Sequence, residues 1–435
     1  MAIKNKNFSF HFSITVISSL FSVLIGLITG VLTARILGPS GRGELGTIQL
    51  YGSLASSILT SGLPISLTYF SLKYNRLSTT FFFSTIFIAL ILSLFIAPIF
   101  YVIIPYLLRS SPNLISSAQL YLWFIPLGIM TACLLAYTQG IKNIILWNVS
   151  RLLASLFWLF PILAIYFLKI NLSAKGVSII YLISLLIYII SLLIIINIHS
   201  PLKFRIKLDY CIKIVKYGIP NTFYTFSQLS NTKLDLIFIS YLFTSKDIGL
   251  YIIALSWSTA HLPLTNAVSS IILPHLSNIK NNDHKFQFFN QTSRINSIIN
   301  LLVAFFIIII SPFVIPLLFG KSYSESIQLS NILIIGTVFS NVKLTIGEAL
   351  RSIGLAGKLL KSEFIALIIS PILFYIFSNY FKLYGIAIGY LVVNLISLFY
   401  MSALYTSQSG CKIKSIFVLN KSDLIIFKNR LKKFN

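Results

Sequence analysis

The sequence predicts an all-α polytopic membrane protein: about twelve transmembrane helices in two parallel, pseudo-symmetric six-helix bundles around a central cleft. Three observations carry that prediction. Apolar runs recur from end to end of the chain, each of roughly 17 to 28 residues, which suffices for a helix to cross a hydrocarbon core of ~30 Å. The chain is 57% hydrophobic and 10% charged, with a mean hydropathy of +0.90, whereas soluble domains carry about a quarter charged residues. Its cations also fall mainly on one side of the predicted spans. Backbone in lipid must be paired internally, so runs of this kind fold as packed helices.

Taken in order, the apolar runs are Phe12–Leu37, Leu45–Leu72, Thr80–Ile104, Ala118–Tyr137, Leu152–Leu168 and Val177–Ile198 in the first half. The second half gives Pro220–Phe243, Leu250–Leu273, Ile295–Phe319, Ile327–Leu350, Phe364–Phe381 and Gly385–Tyr405. The first run is too long for a removable signal and lacks a small-residue cleavage site, so it reads as a span.

The 34 Lys and Arg sort over the connections at roughly three to one, in favour of the side holding both termini. Both termini are therefore expected in the cytoplasm, with an even span count. This asymmetry accounts for most of the net charge of +25; its partner is anionic lipid rather than nucleic acid. Cys133, Cys211 and Cys411 lack partners at metal-ligand spacing and imply neither a disulfide framework nor a metal site.

The charged connection from Ser200 to Lys216 divides the spans six and six. The expected organisation is an N-terminal lobe over 1–200, a cytoplasmic linker over 201–216, a C-terminal lobe over 217–409 and a basic cytoplasmic tail over 410–435. Local echoes suggest duplication. Gly176-Val-Ser-Ile-Ile-Tyr181 opens the sixth span and Gly385-Ile-Ala-Ile-Gly-Tyr390 the twelfth. The turn holding Gly43 after the first span matches that holding Gly249 after the seventh. The offsets are 209 and 206 residues. Six spans per half make the repeats parallel.

Polar groups inside spans cost free energy and need a reason. Gln228, Asn231 and Asp235 share one face of the seventh span, while Lys233 projects elsewhere. Lys343 and Arg351 lie on one stripe of the tenth span, with Asn341, Thr345 and Glu348 on its neighbour. His261 sits in the eighth. Arg151 and Arg351 lie near cytoplasmic span ends, where long side chains reach the interface. Ser18, Ser22, Gly26, Thr29 and Thr33 form a small-residue stripe on the first span, suited to close packing or to lining a cleft. The sequence has no glycine-rich phosphate loop, no Cys/His cluster and no paired carboxylates in an external loop, so neither an enzyme nor a cofactor is expected.

The run Thr33-Ala-Arg35-Ile-Leu-Gly38-Pro-Ser-Gly-Arg-Gly43 resembles the turn after the first helix of Wzx-type O-antigen and polysaccharide flippases, members of the multidrug/oligosaccharidyl-lipid/polysaccharide exporter superfamily. Gln139-Gly-Ile-Lys142 with Asn148 and Arg151, Lys216-Tyr-Gly-Ile-Pro220 with Asn231 and Asp235, Pro316-Leu-Leu-Phe-Gly320 and Arg351-Ser-Ile-Gly354 are similar to later landmarks of that family. The resemblance implies a two-lobed bundle that moves undecaprenyl-diphosphate-linked oligosaccharide to the outer leaflet of the bacterial inner membrane. Other polysaccharide-assembly proteins are possible partners. On this reading Arg35, Lys233, Lys343, Asn231, Gln228, Arg151 and Arg351 face the anionic head, and Asp235 and His261 are the ion-coupling candidates. A cation antiporter of the same superfamily is the alternative and would want acids in its cleft. A membrane-embedded glycosyltransferase is a third reading.

Overall fold

The computed structural model describes residues 2–262, 282–353 and 355–418, with backbone alone at 2–13, 223–232, 282–283 and 356. Among them every regular element is helical. The chain divides into two compact units, Met1–Leu250 and Tyr251–Asn435.

The first unit begins with α1 (Ala2–Thr60), a helix bent at Gly38. α2 (Leu63–Lys73) and α3 (Ser78–Leu107) follow, then α4 (Ile115–Leu120), α5 (Phe124–Gly140), α6 (Ile144–Phe167), α7 (Ala174–His199) and α8 (Leu208–Leu242). α9 (Ser245–Ser258) crosses into the second unit, which continues with α10 (Asn282–Phe319), α11 (Ser326–Ser352), α12 (Ala356–Ser409) and α13 (Lys414–Phe417).

Eight stretches among the described residues are long and apolar enough to cross a membrane. Two of these, Ile14–Lys73 and Gly357–Ser409, each hold two of the expected spans, because the chain reverses within one or two residues rather than through a loop. The seventh expected span lies in α8, and the eighth starts in α9 and runs on beyond the described residues.

The reversals have local causes. Gly38 takes φ 64°, ψ 179°, a conformation open to glycine, and Pro39 follows as the first residue of the next arm, where its missing N–H costs nothing. α12 bends at Lys382 (φ 51°, ψ −131°). In α3, Pro105 cannot donate to the Tyr101 carbonyl four residues back; Gln119 does so instead, its Nε2 donating at 3.0 Å. Two hydroxyls of the first arm are satisfied by their own helix: Thr29 donates to the Ile25 carbonyl and Thr33 to that of Thr29.

Two contacts fasten α9 to α1 and α8 to the start of α2. A Cβ on Gly43 would lie 1.7 Å from the Ser245 carbonyl oxygen, and one on Gly249 would lie 1.9 Å from that of Pro39. Each glycine thus meets the carbonyl four residues before the other, and both pairs are 206 residues apart. The two turns matched in sequence meet as reciprocal halves of a local two-fold, as expected of parallel repeats. Farther along, Gly62 and Gly218 cross: a Cβ on Gly62 would meet Thr222 Oγ1 at 2.2 Å, and one on Gly218 would meet Ser66 Oγ at 3.1 Å. Small residues four apart on each chain let the backbones approach.

In the second unit, α11 packs on α10 and α12. Trp257 Nε1 donates to Ser311 Oγ at 2.7 Å, and Asn296 Nδ2 to Thr345 Oγ1 at 2.9 Å. Among the cysteines, Cys133 and Cys211 are buried and Cys411 is partly exposed. Burial pushes the Cys211 thiol up from its usual pKa. Cys411 therefore serves as a native topology reporter. A membrane-impermeant maleimide is expected to label it only in opened cells, and to label Lys246→Cys in intact ones. Labelling of Cys411 in intact cells would refute cytoplasmic termini.

Candidate functional site

The first unit contains a cavity of about 330 Å³ lined by Gly26, Thr29, Gly30, Thr33, Arg42, Leu45, Gln49, Ser53, Tyr121, Phe124, Trp158 and Tyr181. Its polar wall comes from the two arms of α1. The first arm presents Thr29 and Thr33 from the small-residue stripe; the second, after the Gly38 bend, presents Arg42, Gln49 and Ser53 at helical spacing.

The rest of the lining is largely aromatic. Tyr121 and Phe124 stack at 5.3 Å with an interplanar angle of 10°. Tyr181 of α7 lies within 6.1 Å of Phe124, and Trp158 of α6 sets its edge against Tyr181 at 4.8 Å and 88°. Such offset and edge-to-face pairs are the favoured ring geometries. Together the lining combines aromatic rings with hydrogen-bonding groups and a guanidinium.

α8 adds a second cation. Lys233 is partly buried and its Nζ donates to Ser53 Oγ at 3.1 Å. It makes no ion pair among the described residues. About two turns farther along α8, Ser240 shares a hydrogen bond with Tyr51 at 2.8 Å, and its carbonyl accepts from Ser110 Oγ at 3.1 Å.

The other residues singled out in the sequence fall in several places. Arg35 is exposed on the first arm of α1 and does not line the cavity. Arg151 sits between α1 and α6: its Nη1 donates to Ser19 Oγ at 3.3 Å, and its guanidinium lies 4.9 Å from the Trp147 ring centre. At that level Ser18 donates to Asn148 Oδ1 at 2.7 Å, so the stripe on α1 packs at one end and lines the cavity at the other. Asp235 is fully buried, and its Oδ1 accepts the Leu236 N–H at 2.8 Å. The side chains of Gln228 and Asn231 lie outside those described.

In the second unit, Lys343 Nζ is 3.2 Å from Glu363 Oε1, with both side chains buried. Arg351 Nη1 pairs with Glu348 Oε1 at 2.9 Å and also feels the Glu363 charge. These four groups form a balanced set of two cations and two anions. His261 is buried, and neither ring nitrogen has a hydrogen-bond partner among the described residues. No cluster of three or more His, Cys, Asp or Glu able to hold a metal occurs among the described residues.

A family model described as "Polysaccharide biosynthesis protein" matches residues 31–328, most of the chain and most of the cavity lining. The chain belongs to that polysaccharide biosynthesis protein family. No curated protein sequence matches it. Its fold is similar to that of an inward-facing multidrug resistance MATE family transporter of the MOP superfamily, at 15% identity and a TM-score of 0.74, covering 91% of this chain and 95% of that one. It is equally similar to lipid II flippase MurJ in an inward closed conformation, at 17% identity and a TM-score of 0.74, covering 97% and 93%. A MOP superfamily transporter from Pyrococcus furiosus, whose binding pocket is described as having reverse polarity, matches at 15% identity and a TM-score of 0.58, covering 93% and 94%. The fold is thus that of a two-lobed membrane transporter.

For this family member, the sequence reading missed Arg42, Gln49 and the four aromatic residues. Arg42 sits in a Gly-Pro-Ser-Gly-Arg-Gly run that reads as an external loop. Only the one-residue bend places it on a helix four residues past Gly38. The aromatic wall has no local signal, since rings in apolar spans are as common against lipid as inside a bundle.

Proposed function

We propose that this protein is a flippase that carries undecaprenyl-diphosphate-linked oligosaccharide, an O-antigen or similar repeat unit, from the cytoplasmic to the outer leaflet of the inner membrane by alternating access. The observation that supports it best is the polar, cation-bearing cavity inside an otherwise apolar unit. A cation within a bundle marks a pathway for a charged solute, and aromatic rings together with hydroxyl and amide groups suit sugar. The polyprenyl chain stays in lipid while the head crosses.

The cation-antiporter reading is disfavoured by the lining, which among the described residues holds Arg42 and no acidic residue. The balanced charges at Lys343, Glu363, Arg351 and Glu348 suit a structural role for those four residues. Asp235 and His261 keep their place as coupling candidates, because both are buried ionisable groups on helices of the transporter fold.

Deletion of the gene tests the reading against a glycosyltransferase. A flippase defect is expected to leave complete lipid-linked repeat units, accumulated at the cytoplasmic leaflet. Accumulation of shortened, unfinished glycans would instead indicate a lost sugar-transfer step.

A further inference from the structure

The end of the first unit that the charge bias assigns to the cytoplasm carries a second set of rings and cations, none of which lines the cavity. Phe70 of α2 stacks on Phe81 of α3 at 5.1 Å, and Phe81 stacks on Tyr210 of α8 at 4.5 Å. Tyr69 stacks on Tyr217 at 4.5 Å with an interplanar angle of 10°. Three lysines border these rings. Lys73 Nζ is 5.4 Å from the Tyr74 ring centre, and Lys207 and Lys213 Nζ are each 5.5 Å from that of Tyr210. A ring face attracts an ammonium without neutralising it. None of the three lysines makes an ion pair among the described residues.

The connection between α7 and α8 extends this surface. Leu202 N–H donates to Asn197 Oδ1 at 2.9 Å and Lys207 N–H to Ser84 Oγ at 3.3 Å, so the segment is tied to α7 at one end and to α3 at the other. Between the ties, apolar and cationic residues alternate as Leu202-Lys-Phe-Arg-Ile-Lys-Leu208. Phe204 and Leu208 are 76% and 72% exposed, and Lys203 and Arg205 are exposed beside them. Water would leave those apolar side chains unburied, and a hydrocarbon core would exclude the cations. The headgroup layer of a bilayer accommodates both. Residues 69–78 hold two cations and residues 200–217 hold five, against the single acid Asp209. The group that complements such a surface is a phosphate, through charge-assisted hydrogen bonds.

We infer that the turn between α2 and α3 and the connection over 201–207 form a binding site for an anionic phospholipid of the cytoplasmic leaflet. Lys73, Lys207 and Lys213 hold its phosphate, and Phe204 and Leu208 lie among its acyl chains. The bound lipid braces α2, α3 and α8 where their rings meet. Such a site is more than the diffuse attraction of a basic face, because three placed lysines carry it, and it is independent of the cargo. To test it, delipidated full-length protein in detergent is titrated with phosphatidylglycerol or phosphatidylcholine of matched chains, and bound lipid is counted by native mass spectrometry.

Wild type is expected to bind its first phosphatidylglycerol about tenfold more tightly than phosphatidylcholine, or more. Lys73→Gln, Lys207→Gln and Lys213→Gln should each weaken phosphatidylglycerol about fivefold, and together they should remove the preference. Lys285→Gln, Lys358→Gln and Lys361→Gln, combined in the second unit, should leave it unchanged. Phe204→Ser should weaken both lipids alike. Equal wild-type affinities would overturn the inference and leave the surface to a soluble acidic partner. Equal loss of preference through the second-unit triple would also overturn it, reducing the effect to diffuse charge. If the first triple does not fold, the single variants decide, and unchanged affinity in all three would overturn the site.

Discussion

Replacing Gly249 or Gly43 with alanine is expected to destabilise the protein by about 2–3 kcal/mol or more, read as a lower unfolding temperature and poor recovery of monodisperse protein. The added methyl would lie under 2 Å from a carbonyl oxygen at either position. Both clashes are with backbone, so no rotamer change relieves them. The two turns would have to separate, loosening α9 from α1 beside the Gly38 bend. Gly357 is the control: nothing lies within 4 Å of its Cβ position, and alanine there should be neutral or slightly stabilising, as in an open helix. Gly249→Ala with wild-type stability would mean the turns do not meet this closely.

The next largest effect is expected at the buried pair of Lys343 and Glu363. Removing one partner leaves an uncompensated charge, which costs about 3–5 kcal/mol, whereas replacing both with neutral groups of similar volume is often tolerated. Lys343→Met alone should therefore be strongly destabilising, and Lys343→Met with Glu363→Gln should recover most of the loss. The sequence alone placed Lys343 against a diphosphate. If that is its main role, the double variant will fold normally yet fail to transport. If the pair is structural, stability and transport will return together.

The spans and the parallel repeat were legible because each rests on local pattern: apolar length, and a turn repeated at constant offset. The contact of Gly43 with Gly249 gives that repeat a physical meaning that the sequence only hinted at. What was not legible depends on which helices touch. Glu363 lies 20 residues beyond Lys343, at the start of the next helix, and nothing in the pattern says that they meet. Arg42 was assigned to a loop because Gly-Pro-Ser-Gly is ordinarily a turn, whereas here the bend occupies Gly38 alone. Lys233 was singled out as a cation within an apolar run, but its neighbour Ser53 and the rings of the cavity come from other elements. The cavity therefore had to wait for the fold.

The central claim is that this protein lets a sugar head cross the bilayer while its lipid stays in the membrane. The most direct measurement places a defined polyprenyl-diphosphate oligosaccharide in both leaflets of sealed vesicles and adds an impermeant glycosidase outside. Without protein, the inner-leaflet pool stays protected. With the wild-type protein incorporated, that pool is expected to become fully digestible over time while a trapped soluble sugar remains inside. An inner pool as well protected as in protein-free vesicles, with folded protein present, would contradict the account.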